Sequence, residues 1–113
     1  MRKQSTISVE EFRATQSHDS FMNQVIELAK YLGYTKIYHT HDSRFSEAGF
    51  PDLVLVNPSK KRTVYIECKR GKDEVTQAQL EWNLALKEAG QDAYIFRPSD
   101  WEDIKFVLQW SNV

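Results

Sequence analysis

Apolar residues recur at helical spacing near the start of the chain. At 100° per residue, Phe21, Val25, Leu28, Ala29 and Leu32 share one face. Ser17 or Asp19 is placed to cap the start of this helix, and Gly33 to end it. The pattern then changes period. Lys36 to His41, Leu53 to Val56, and Thr63 to Cys68 are short runs rich in β-branched and aromatic residues, the signature of strands. The cluster Asn57-Pro58-Ser59-Lys60-Lys61 separates the last two, a connection short enough to make them an antiparallel hairpin. Helical spacing returns with Val75, Ala78, Trp82, Ala85, Leu86 and Ala89, behind Thr76 as a cap and ahead of Gly90. Ala93 to Phe96 is a strand stopped by Pro98. Ser99-Asp100-Trp101-Glu102 has the form of a capping box opening a last helix, with Ile104, Val107 and Leu108 inward. Residues 42–51 are a loop by composition. Residues 1–17 are polar, with a further capping-box pattern at Ser8-Val9-Glu10-Glu11.

This order, α-β-β-β-α-β-α, predicts an α/β domain: a mixed sheet flanked by helices. The strand–helix–strand unit from Thr63 to Phe96 calls for a parallel pairing. The length of 113 residues fits one domain, with a core over about residues 18–110 behind the polar N-terminal segment. One cysteine, Cys68, leaves no internal disulfide and no multi-cysteine zinc site. No apolar run is long enough to span a membrane and no signal-peptide pattern opens the chain, so the expectation is a cytoplasmic protein. The formal net charge of −1 argues against a polycation that coats nucleic acid everywhere. It conceals an asymmetry: residues 60–72 hold Lys60, Lys61, Arg62, Lys69, Arg70 and Lys72 against the single acid Glu67.

Charge placed on strands is the informative feature. Asp52 lies at the mouth of one hairpin strand, and Glu67 and Lys69 at the end of its partner. Residues two apart on a strand face the same way, so Glu67 and Lys69 are neighbours and Cys68 points away. If the turn is centred between Ser59 and Lys60, paired residue numbers sum to 119. Val56 then faces Thr63, Val54 faces Tyr65, and Asp52 faces Glu67. Opposed residues have β-carbons about 5 Å apart, and two carboxylates that close repel unless a cation lies between them. A hard divalent cation suits such oxygens, with the Cys68 carbonyl as a further donor and Lys69 beside it to orient water or neutralise charge on a phosphate. The other reading of the same residues is a solvated strand end with a cross-strand ion pair.

A wider set of residues resembles a known family. Gly49-Phe50-Pro51-Asp52-Leu53-Val54-Leu55-Val56, Ile66-Glu67-Cys68-Lys69 and Gln79-Leu80-Glu81-Trp82 look like the PD-(D/E)XK nuclease superfamily. More narrowly they resemble the VRR-NUC family, in its small stand-alone form found in phages and bacteria. Tyr38-His39-Thr40-His41-Asp42-Ser43-Arg44 and Phe96-Arg97-Pro98-Ser99-Asp100-Trp101 add to the match, which covers about Phe21 to Leu108. The resemblance implies a restriction-endonuclease-like core and a nuclease using Mg²⁺ or Mn²⁺ on DNA, often branched or flapped. It also implies a homodimer suited to four-way junctions, acting in a bacterial cell or a phage-infected host. It makes Asp52 and Glu67 the metal carboxylates, Cys68 the carbonyl ligand, Lys69 the catalytic lysine and Gln79 a glutamine near the active site. The superfamily often places an acid on its first helix. Here Glu27 points away from the apolar face, so Gln24, at its border, is the candidate for water-mediated support.

Other residues keep two readings. Gln79 sits at the edge of its helix's apolar face, where a glutamine is commonly just solvated. Trp82 is core rather than a stacking platform, and Cys68 is a core thiol rather than a nucleophile. His39 and His41 share a strand face with Ile37, as ordinary strand histidines or, for His39, as a group facing DNA. Lys60, Lys61, Arg62, Arg70 and Lys72 are phosphate contacts or a solubilising surface, and Arg44 is a second backbone contact. Leu80 and Leu84 lie off their helix's apolar face, as isolated surface leucines or as a dimer seam. The functional alternatives to a DNA nuclease are a non-catalytic DNA-binding or assembly module that keeps the fold, and an RNA-directed nuclease.

Overall fold

Among the described residues, four strands carry the alternating or continuous apolar runs, and the helices that precede and follow them cover one face of the sheet. A computed structural model describes residues 18–40 and 47–112. The elements are α1 (His18–Tyr31), β1 (Lys36–His39), β2 (Leu53–Asn57), β3 (Arg62–Cys68), α2 (Gln77–Glu88), β4 (Asp92–Phe96), a 3₁₀ turn (Pro98–Asp100) and α3 (Trp101–Gln109). This is the α-β-β-β-α-β-α order read from the sequence. The Ser8–Glu11 pattern, His41 and Arg44 lie outside the described residues.

The sheet order is β1-β2-β3-β4. β2 lies antiparallel to both of its neighbours, β1 and β3, and β3 pairs with β4 in parallel. The hairpin register is the one expected: Val54 faces Tyr65, Val56 faces Thr63, and Leu53 faces Ile66. One sheet face carries Leu53, Leu55, Val64, Ile66, Cys68 and Phe96. It packs against Phe21, Met22, Val25 and Ala29 of α1 and Trp101, Ile104 and Leu108 of α3. Gly33 ends α1 as the sequence indicated: its φ of +97° lets the Tyr34 N–H reach back to the Ala29 carbonyl at 2.9 Å.

Two local expectations are corrected. The Ser99–Glu102 capping box does not form. Asp100 instead turns back to accept from the Arg97 N–H at 2.8 Å, closing the short turn that Pro98 begins, and no side chain caps α3. α2 also presents a different face. Its fully buried residue is Asn83, with Gln79, Trp82 and Leu86 half-buried and Ala85 and Ala89 exposed. Residues 79, 82, 83 and 86 form one helical stripe. The apolar-only wheel missed it because two of its four members are amides.

Candidate active site

The end of the hairpin away from its turn collects the charged residues. Asp52 is held from two sides. Its carbonyl accepts from the Thr40 N–H at 2.9 Å, extending the β1–β2 ladder by one step, and its Oδ2 accepts from the Cys68 N–H at 2.9 Å. Thr40 Oγ1 also donates to the Pro51 carbonyl at 2.9 Å. The loop before Asp52 lies hard against α2. Gly49 has φ +87°, and a β-carbon there would stand 2.4 Å from the Ala78 carbonyl carbon, so only glycine fits. Phe50 adds an edge-to-face contact with Trp82 at 5.1 Å; Trp82, expected in the core, is half-buried and packs on this loop outside the core cluster.

Glu67 is 5% exposed, next to Asp52, at the end of β3. Its Oε2 accepts from Gln79 Nε2 at 2.8 Å and stands 4.0 Å from Lys69 Nζ, beyond a hydrogen bond. Its Oε1 is buried and has no hydrogen-bond partner among the described residues. Burial, reinforced by the Asp52 charge and opposed by Lys69, pushes the Glu67 carboxyl up to about 8. Cys68 points the other way, into the core. Burial first, and the two carboxylates next, raise its thiol well above the ordinary range, which suits an inert core residue.

These groups line an open cavity of about 390 Å³ whose walls are Asp52, Glu67, Cys68, Lys69, Asp73 and Gln79. Four side chains singled out from the sequence therefore meet in one place. Asp73 was missed. It follows a turn closed by its own N–H on the Arg70 carbonyl at 2.9 Å, with Gly71 at φ +50° and Arg97 Nη1 donating to the Gly71 carbonyl at 2.9 Å. The adjoining Arg70-Gly71 turn was the available signal. Gln24 is not in these walls, but its Oε1 is likewise buried and unpartnered among the described residues, while Glu27 is exposed beside Lys30. His39 is half-buried in β1, opposite Leu53 and one residue from the Thr40–Asp52 contact.

The donors fit a hard divalent cation. They are carboxylate oxygens with a main-chain carbonyl nearby, and Glu67 Oε1 is a buried acceptor without a hydrogen-bond partner among the described residues. Among the described residues, no three His, Cys, Asp or Glu side chains converge as a ligand set.

The VRR-NUC domain model matches residues 4–100. The chain belongs to the VRR-NUC domain family. A Fanconi-associated nuclease 1 homolog of Schizosaccharomyces pombe (strain 972 / ATCC 24843) is 44% identical over 56 residues. That stretch is 50% of this chain but only 8% of the relative, so the chain matches a small part of a much longer protein. A solved structure of a VRR_NUC domain protein superposes with a TM-score of 0.64 at 24% identity, covering 83% of this chain and 86% of that one. At that identity the likeness shows the fold. Membership of the VRR-NUC family supports a nuclease.

The expected basic cluster divides. Arg70 and Lys72 are exposed near the cavity. Lys60, Lys61 and Arg62 lie at the turn end of the hairpin, roughly 20 Å along β3. Lys61 is exposed, and Lys60 Nζ donates to the Gln109 carbonyl at 3.1 Å. Arg62 is not a surface residue. It is 4% exposed, pairs with Asp92 at 3.1 Å, and donates to the Val107 and Trp110 carbonyls at the end of α3. A guanidinium buried against a helix end is not presented to a phosphate backbone as a surface arginine is. Among the described residues no helix is long and apolar enough to cross a membrane.

Proposed function

We propose that this chain is a metal-dependent endonuclease that hydrolyses DNA phosphodiester bonds, with branched DNA such as four-way junctions or flaps as its preferred substrate. The observation that carries the reading is the buried, unpartnered Glu67 Oε1 beside Asp52, with Lys69 4.0 Å from the same carboxylate. Family membership supports the nuclease class, and the oxygen donor set supports Mg²⁺ or Mn²⁺.

Asp52, Glu67 and the Cys68 carbonyl would hold the cation. When bound, it would polarise a phosphodiester oxygen and acidify a water. The protein's own groups do the rest. The Cys68 N–H fixes the Asp52 carboxylate, and Gln79 fixes the Glu67 carboxylate, so neither has to reorganise when substrate arrives. Lys69 places a positive charge where negative charge grows on the phosphate, or orients the attacking water. Arg70 and Lys72 meet the DNA backbone beside the cavity. Gln24 supports the site from α1 through water, and His39 on β1 faces DNA.

Leu80 and Leu84 are 41% and 50% exposed, one turn apart on the outer side of α2. A two-fold dimer through this side would present two sites to a symmetric junction, and Leu84→Glu should then shift the sedimentation coefficient toward a monomer.

Lys69→Ala tests the mechanism. Assayed with Mn²⁺ on duplex, flap, splayed-arm, single-stranded and four-way-junction DNA, the variant should bind DNA yet cut at least roughly a hundredfold more slowly. Cutting at the wild-type rate sinks the mechanism. Wild-type binding without cutting on every substrate points instead to a non-catalytic DNA-binding module.

A further inference from the structure

Which Glu67 oxygen stays open is set from outside the cavity. The main-chain N–H of Thr76 donates to Gln79 Oε1 at 2.9 Å. A backbone N–H can only donate, so it takes the carbonyl end of the amide and turns the NH₂ end toward Glu67. There Nε2 donates to Oε2 at 2.8 Å, and Oε1 is left buried without a partner among the described residues. The flipped amide would set carbonyl against carboxylate and NH₂ against N–H, two repulsive contacts in place of two hydrogen bonds. The same two residues cap α2. Thr76 Oγ1 accepts from the Gln79 N–H at 3.1 Å, which with the Thr76 N–H to Gln79 Oε1 bond closes a reciprocal capping box. The hydroxyl's task is the cap alone; the main-chain amide, in closing its half of the box, also sets the polarity of the glutamine.

We propose that Thr76 is a positioning residue of the site, its main-chain amide fixing the Gln79 side chain so that Glu67 presents Oε1 to a divalent cation. This rests on the reading of the cavity as a cation site.

The two tasks separate by substitution. Thr76 has φ −76° and ψ 162°, values open to proline, so Thr76→Pro deletes the N–H, and the hydroxyl with it, without requiring a new φ; the share of the N–H is the difference from Thr76→Ala. Thr76→Ala deletes only the hydroxyl. Mn²⁺ binding to the full chain is measured by titration calorimetry for wild type, Thr76→Ala, Thr76→Pro, Gln79→Ala and the Thr76→Pro/Gln79→Ala double variant, with Glu67→Gln as a control. Circular-dichroism melts report folding. Thr76→Pro should weaken binding roughly tenfold, as loss of a hydrogen bond relayed to a charged group does, and more than Thr76→Ala does. Added to Gln79→Ala, it should cost less than about twofold, because the relay is already broken. A full Thr76→Pro loss in the Gln79→Ala background, or Thr76→Pro binding like wild type, overturns the role of Thr76. Wild type that binds no Mn²⁺, or binding that survives Glu67→Gln, overturns the cation reading and the proposal with it. If Thr76→Pro does not fold, amide hydrogen exchange decides. The Thr76 N–H should exchange roughly tenfold faster in Gln79→Ala than in wild type, and equal rates overturn the proposal.

Discussion

The Asp52 carboxylate accepts a 2.9 Å hydrogen bond from the Cys68 N–H, so the residue just before β2 is tied by its side chain to the last residue of β3. Asn at position 52 keeps an oxygen for that bond and loses the charge. Asp52→Asn should therefore fold with an unchanged or higher melting temperature, since the like charge beside Glu67 is gone. It should lose Mn²⁺ binding and slow cleavage roughly a hundredfold or more. A variant that melts several degrees lower would show that the charge itself holds the strand ends together.

Glu67 makes stability depend on pH. Its carboxyl is raised from 4.5 to about 8, so the folded chain holds a proton that the unfolded chain has released. Stability from this group is full below about 4.5 and is lost as pH rises through about 8. Without divalent cation the melting temperature should fall over that window, and Glu67→Gln should flatten the fall. Mn²⁺ should raise the melting temperature more at pH 8 than at pH 6, because at low pH it competes with the proton. Differential scanning fluorimetry across pH, with and without Mn²⁺, checks both signs.

Arg62 predicts a purely structural variant. Its guanidinium is buried against Asp92, two carbonyls at the end of α3 and the Tyr34 hydroxyl at 3.4 Å. Arg62→Ala takes the donor from all of these and, with Asp92 38% exposed and open to water, should cost about 1–3 kcal/mol in urea unfolding. The fraction that stays folded should cut DNA at the wild-type rate. Wild-type stability would mean that water replaces the guanidinium without loss.

The divided basic surface predicts a divided salt response. Arg70→Ala and Lys72→Ala should each weaken DNA binding and reduce the slope of log K against log salt by roughly 0.9. Lys61→Ala, at the far end of the hairpin, should change neither. Equal slope changes from the two ends would show that DNA lies along the hairpin rather than across its open end.

The sequence by itself determined the elements, their order, and the hairpin register. Each rests on local rules: helical or alternating period, caps, and a turn too short for any other pairing. Continued one step past the paired residues, that register put Asp52 beside Glu67, and alternation continued past β3 put Lys69 on the Glu67 side. Tertiary structure decided what depends on packing between distant segments. It rotated α2 so that two amides, Gln79 and Asn83, face inward, which no hydrophobic pattern reports. It buried Arg62, whose partners Asp92 and Val107 are 30 and 45 residues away, and so split a basic run that is continuous in the chain. It brought Asp73 to the cavity through a turn anchored by Arg97. Charge counted along a chain says nothing of which charges water still reaches. That is settled only when other segments arrive to bury or pair them.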